Sequence, residues 1–451
     1  MGNLKKTIVS VLIFIIAASL AACSGGGNNV TPPASQTPSA SPQNSAENKQ
    51  PEGDPVTIRL MHGWTGEVPM AAAFEPAIER LKAEHPEINF KVETAPGNAI
   101  KEKVLTEMAA NNPPDVFLHW GTRSTEAYIE SDKVAVLDDL IEGDAELEDR
   151  FIEGAYDLST FQGKIYGLPM EAYMHYLLIN KTLFEKYDVK IPETYEQLEA
   201  AVQTFGEKGL IPFAANNHSA RYMLTIWNNQ LMNREDVISA SAGKGQFSDS
   251  MLEAAQRIEK LAKLKAFPEG LATMSTLQAL ELFNSGKAPM YYQHTWTIGN
   301  IEPELLDKVA VIPFPKAEAG SKQMMTANVG YFVYMSKAAY DDPAKREAAW
   351  KVMKYLSGPN VAKDMVEIVS NPSPVVMDYD ESKLSAVLKA SIELRDTADE
   401  ISLNIEEYMS QEASNDFWTL FDRLSLNDIS PQEFVDELNQ TVKKNPNKAL
   451  Q

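Results

Sequence analysis

The chain has 451 residues, with 41 Lys and Arg against 63 Asp and Glu, six His and a single Cys. At roughly 100–200 residues per domain this is two or three domains. The formal charge of −22 argues against binding through nucleic-acid phosphates, which needs concentrated Lys and Arg, and one cysteine excludes an internal disulfide framework or a CxxC metal cluster.

In chain order, residues 1–22 read as a secretory signal, with Lys5 and Lys6 as the positive region and the apolar run Ile8 to Leu20 behind them, too short to span a bilayer. The run ends in Leu20-Ala21-Ala22-Cys23, which resembles the lipobox of bacterial lipoproteins. That resemblance implies cleavage before Cys23 and a lipidated thiol, so that the protein is anchored to the membrane rather than inserted in it. Residues 23–55 then carry six prolines among Ser, Gly, Asn and Gln, with Val30 as their one large apolar side chain. Such a segment cannot bury enough surface to offset its ordering entropy and reads as a disordered tether. The remaining body, from residue 56 to 451, suits two lobes of ~200 residues.

Within the body, strands alternate with helices. Val56–Met61 alternates as a strand, and Met70–Glu84 has helical apolar spacing at Ala73, Phe74, Ala77, Ile78 and Leu81. Ile88–Glu93 reads as a strand, Ile100–Asn111 as a helix, and Val116–Trp120 as a strand after the Pro113-Pro114 stop. This order predicts an α/β fold with a parallel sheet covered by helices on both faces. Capping boxes at Thr194–Gln197 and Ser275–Gln278 open two further helices, and Pro343 and Pro431 stand at first helical positions. No internal repeat and no second linker is present, which suggests that the chain crosses between its lobes more than once.

Motifs that nominate a reaction are missing: there is no GxGxxG, GxxxxGK[ST], GxSxG or HExxH. Asp378–Glu381 is too short and lacks the glycine for a calcium loop, and the histidines have no i,i+4 pair for a metal. What is present is a set of aromatics at strand ends, where open α/β sheets hold their ligands. Trp64 follows the first strand, Trp120 ends the third, and Trp296 follows a strand at Ala288–Gln293. A sugar stacks its C–H face on a flat ring while its hydroxyls take hydrogen bonds from polar neighbours. Such neighbours stand nearby: Glu67 beside Trp64, Arg123 beside Trp120, and Glu171 with Tyr173 and His175 on one strand. His62, His119 and His294 immediately precede the same region. Trp350 lies in a helical apolar stripe and reads as core, whereas Trp227 and Trp418 on helices could face core or cleft.

Five segments in order resemble the extracellular solute-binding proteins of ABC importers, in the sugar-binding group that includes maltose-binding protein. They are Asn112–Phe117 with Trp120-Gly121; Gly163–Pro169 running to Ile179–Lys181 and Leu183-Phe184; Ile191–Tyr195; Ser285–Met290 with Thr295–Gly299; and Val309–Pro315 with Gly330–Lys337. The resemblance implies a two-lobed periplasmic-binding-protein-like fold with discontinuous lobes, 56–165 with 305–370 and 166–304 with 371–451, closing on ligand in the cleft between them. It places Trp64, Trp120, Tyr173 and Trp296 at cleft positions, matches Asn216, His218 and Trp227 to others, and puts Trp418 in a helix that offers an aromatic in some relatives. His294 departs from the glycine common there and would fill part of the pocket. The implied function is capture of a carbohydrate, an oligosaccharide, and delivery to membrane permease subunits. It implies a monomer without cofactor or metal, held by its lipid on the outer face of a Gram-positive membrane. A receptor for a polyamine or peptide, or a lipid-anchored carbohydrate-active enzyme, would share parts of this pattern. An anionic sugar would need cleft cations, for which Arg123 and Arg221 are candidates.

Overall fold

In the computed structural model, residues 55–450 are described; the signal segment, Cys23 and the tether lie outside them. Among the described residues no helix is long and apolar enough to cross a membrane. Strand β1 (Val56–His62) leads into helix α1 (Ala71–Glu84), strand β2 (Ile88–Thr94), helix α2 (Ala99–Ala109) and strand β3 (Val116–Trp120). Successive strand side chains point to opposite faces. Ile58, Leu60, Val116 and Leu118 therefore pack on one face with Phe74, Ala77, Ile78 and Leu81 of α1. Met61 and Phe117 pack on the other with Ile100, Val104 and Met108 of α2. Both faces of this first sheet are covered by helices.

The continuation depends on two long strands, β4 (Gly167–Asn180) and, much later, β7 (Met324–Met335). Between them come helix α4 (Asn217–Leu231), strand β5 (Met290–His294) and strand β6 (Val309–Ile312), with α3 (Thr122–Glu130) preceding β4 and α5 (Gln411–Ser425) following β7. The strand order is β2-β1-β3-β7-β4-β5, ending on the short strand Phe213–Ala214. Pairing is parallel for β1 with β2 and with β3, but β7 runs antiparallel to both β3 and β4, and β4 antiparallel to β5 and β6. The expectation of a parallel sheet therefore fails for the long middle strands, which pair antiparallel with each other and with β3, β5 and β6. The middle strands reverse direction because they carry the chain from one body to the other rather than around one sheet.

The first part of β4 pairs with β7, while from His175 onward it pairs with β5 and β6. The second body has its own core, built from Leu177 and Ile179 of β4, Phe205, Phe213, Met223, Ile226 and the C-terminal residues Phe417, Phe421 and Phe434. Ile312, Phe314, Ala317 and Met324 belong to this core. The return to the first body thus runs along β7, where the sequence reading sets it at residue 305. Ser275 makes the reciprocal capping box expected of it, and Pro431 opens its helix as expected, with Ser430 adding a capping box that the sequence reading does not name. Thr194 accepts from the Gln197 amide, but the Gln197 side chain binds the Glu193 amide instead of closing the box.

One glycine lets the crossover strands support a ring. A β-carbon at Gly330 of β7 would lie 2.9 Å from Cδ1 and 3.0 Å from Cε1 of Tyr173, and the β4–β7 register shifts across it, between Val329 and Tyr331, and again between Tyr331 and Phe332. Contacts that short require the Tyr173 ring to move. Gly330→Ala is expected to leave a folded protein whose ligand affinity falls by roughly ten-fold, the scale of one misplaced anchor. Calorimetric titration compared with a melting curve checks this, and unchanged affinity would show that Tyr173 makes no ligand contact.

Candidate functional site

The ends of β1 and β3 and the middle of β7 bring three rings together in the first body. Trp64 is buried, stacked on Tyr331 with centroids 5.0 Å apart and its edge to Phe74. Trp120 is only partly buried and stands edge-on to Tyr331 at 4.7 Å. Above the Trp120 ring, 4.0 Å from its centroid, sits Nζ of Lys101 from the first turn of α2. His119, one residue earlier, is buried with neither ring nitrogen hydrogen-bonded. Burial, with Lys101 adding to it, pushes its pKa down to about 3.

The second body presents a run of rings along β4, β5 and α4. His175 and His294 are directly opposed in the antiparallel β4–β5 register, which brings paired side chains within contact. Their rings stack at 4.2 Å, and Tyr173 stacks on His294 at 5.0 Å. Tyr222 lies against both histidines at 4.5 and 4.7 Å. One helical turn earlier His218 links Tyr222 to Trp418 of α5. The Arg221 guanidinium covers Trp418 at 4.8 Å and is held by Glu406, Nη2 donating to Oε1 at 3.0 Å. The stacked histidines do not converge on a point as metal ligands do, and no group of three His, Cys, Asp or Glu side chains suited to a metal occurs among the described residues.

The two bodies touch across this region. Arg123 of α3 donates from Nη1 to Ser414 Oγ of α5 at 2.8 Å and lies 3.6 Å from Glu407. Lys448 pairs with Glu130 at 2.9 Å. Trp296, in the 3-10 turn after β5, packs against the core of the first body. Many buried polar atoms around the seam have no partner: the Tyr173 hydroxyl, both nitrogens of His175, Nε2 of His294, Nε1 of Trp418 and Nε of Arg123. Each such atom costs about 1–3 kcal/mol when left unsatisfied, and concentrated donors and acceptors beside ring faces are what a polyhydroxylated ligand satisfies.

Not every expected residue stands here. Trp227 is fully buried in the second core, its Nε1 donating to the Pro315 carbonyl at 3.2 Å and its ring edge-on to Tyr195. It is a packing residue. Asn216 spends its side chain locally, capping α4 in a box with Ser219 and donating to Thr276. Glu67 is exposed and takes part in no hydrogen bond or ion pair among the described residues. Trp64 serves as the support beneath Tyr331 more than as an open face. Conversely, Lys101, Tyr222, Tyr331, Glu406 and Glu407 went unnoticed in the sequence. Of these only Tyr222 left a signal, since His218, Arg221 and Tyr222 share one face of a helix.

Glu171 is buried and accepts from Nδ2 of Asn371 at 2.9 Å. Burial pushes its pKa up to about 7, against the opposing pull of that bond. An acid with a raised pKa stabilises the folded form below its ordinary value near 4.5, and that contribution is lost as pH rises through about 7. Glu171→Gln is therefore expected to gain melting temperature relative to the parent between these pH values and to hold a constant difference above them. Parallel melting curves across pH check it; a constant difference throughout would mean that Glu171 does not titrate in this window. The neutral histidines act with the opposite sign. Burial lowers His218 and His294 to about 3, so their contribution is present above the ordinary value near 6.5 and lost as pH falls from there toward about 3.

A family model for bacterial extracellular solute-binding proteins matches residues 65–363. The chain belongs to that family. Its α/β, two-lobed architecture, with a ligand cleft between lobes, is that of periplasmic-binding-protein-like receptors. Members are substrate-binding proteins of ABC importers, located outside the cytoplasm. Among its relatives, the melibiose/raffinose/stachyose-binding protein MelE of Bacillus subtilis is 26% identical over 331 residues, covering 67% of this chain and 69% of that one. A solved structure associated with xylan utilization by Caldanaerobius polysaccharolyticus is 25% identical at a TM-score of 0.78, covering 86% of this chain and all of that one. The GacH receptor of Streptomyces glaucescens, solved with and without acarbose, superposes at a TM-score of 0.71 with 17% identity, covering 86% and 98%.

Proposed function

We propose that this protein is the substrate-binding component of an ABC importer that captures an oligosaccharide between its two bodies and returns it intact to permease subunits. The observation that carries this reading is the seam itself. Ring faces of Trp120, Tyr173 and Trp418 stand beside buried, unpartnered polar atoms on Tyr173, His175, His294 and Arg123. The carbohydrate ligands named for relatives such as MelE support it. Ligand contact with both bodies is all that closure requires, since a ligand that touches both favours the closed state. The site residues we assign to the ligand are Trp120, Arg123, Glu171, Tyr173, Trp296 and Trp418, with His294 narrowing the pocket.

The test is a thermal-shift and calorimetric screen of the purified protein against mono- and oligosaccharides, polyamines and peptides. A ligand at 100 times its dissociation constant adds about 2.7 kcal/mol of stability. Stabilisation by an oligosaccharide recovered unchanged supports the receptor. Recovery of cleaved sugar would make it an enzyme, and a response only to polyamines or peptides would overturn the carbohydrate assignment. We further propose anchoring through lipidated Cys23. Cys23→Ala is expected to release the protein into the medium or leave it unprocessed, and lipid labelling of the variant would refute the anchor.

A further inference from the structure

The cleft carries three cations, and their partners differ. Arg221 is matched to Glu406 through Nε and Nη2, with Asp422 beyond it held by Asn217. Arg123 uses Nη1 on Ser414 and lies near Glu407, but its Nε is buried with no acceptor. Lys101 has neither a hydrogen bond nor an ion pair among the described residues and rests on the face of Trp120. Its side chain is half-buried, and Arg123 repels the ammonium more than either Glu407 or Glu102 singly attracts it.

Lys101 Nζ thus stands over the Trp120 ring with no ion pair of its own, while Arg123, whose Nη2 faces Glu407 at 3.6 Å, still has a buried Nε without an acceptor, so two cations share one nearby carboxylate. A buried charge left unpaired is costly, and an arriving anion that pairs it recovers much of that cost. A neutral hydroxyl would satisfy the free Arg123 Nε–H but not the unmatched charge of Lys101. We propose that the captured oligosaccharide is acidic, bearing a uronic-acid carboxylate that seats between Lys101 and Arg123 with its sugar ring on Trp120. This rests on the carbohydrate reading above and narrows it. Burial, with the Arg123 charge adding to it, already lowers Lys101 to about 8, the behaviour of a cation that lacks its counter-charge. The same chemistry would admit a sulfated sugar, whose tetrahedral anion a point-charge lysine also accepts.

The experiment is calorimetric titration of the purified protein with matched pairs: neutral xylo-oligosaccharides against the same chains carrying glucuronic acid, and oligogalacturonides against neutral galacto-oligosaccharides, with a sulfated galacto-oligosaccharide as a third arm. The acidic member is expected to bind at least about ten-fold more tightly, the scale of one added charge-assisted contact. Its affinity should fall with salt less than a fully exposed pair would, because the site is partly shielded. Lys101→Met should shrink the acidic-to-neutral ratio toward one, and Lys101→Arg should restore much of it. A sulfated sugar outranking both uronates would overturn the carboxylate assignment. Neutral members binding as tightly as acidic ones, with the ratio unmoved by Lys101→Met, would overturn the proposal while leaving the oligosaccharide receptor intact. If no saccharide binds at all, the carbohydrate reading falls first and this one with it.

Discussion

Trp227→Ala is expected to cost about 3–5 kcal/mol of folding stability, the range for removing a large buried aromatic. The indole is fully buried, edge-on to Tyr195 and tilted against Phe314. Its loss also strips the Pro315 carbonyl of the Nε1 donor at 3.2 Å, and an orphaned buried acceptor adds to the cavity term. The measurement is a denaturant or thermal unfolding curve, followed by ligand titration on whatever fraction remains folded. A large loss of stability with intrinsic affinity retained is the expected pattern. A stable variant that has lost its ligand would place Trp227 in the binding surface instead.

Trp120→Ala should show the reverse. Its ring is only partly buried, carries Lys101 on one face and rests edge-on against Tyr331. Truncating an anchor of this kind typically weakens binding by about 1–3 kcal/mol, or roughly 5- to 150-fold. The supports beneath it, Tyr331 stacked on Trp64, stay in place, so cooperative unfolding should persist with a modestly lower midpoint. Titration calorimetry on the variant decides the matter: affinity unchanged alongside a collapse in midpoint would move Trp120 into the core. Together the two tryptophans separate packing from recognition within one molecule.

Much of this division was legible beforehand and some was not. Trp120 ends a strand whose start is marked by a Pro-Pro stop, so its place at the mouth of the sheet follows from local pattern. Trp227 sits on a helix that is buried on nearly every side, from Ser219 to Asn229. Periodicity distinguishes a wet face from a dry one, and here there is no wet face to find. Arg221 illustrates the same limit. As an isolated cation it could be assigned to an anionic ligand, but it is already matched to Glu406, one of 63 acidic residues whose sequence positions carry no mark of that pairing.

The amino-acid sequence by itself determined the elements of the first sheet, the cap at Ser275 and the helix start at Pro431, the clothing of β1 and β3 by α1 and α2, and an order of motifs resembling solute-binding proteins. All of these are written in spacings of a few residues, which the backbone periods of helix and strand read directly. Only the tertiary structure decided that β7 reverses beside β3, that residues 309–324 pack with the second body, that His175 meets His294, and that Lys101 lies on Trp120. Those contacts join segments far apart in the chain. A strand slipped by one residue would turn each of these rings to the opposite face, and no local preference fixes that register.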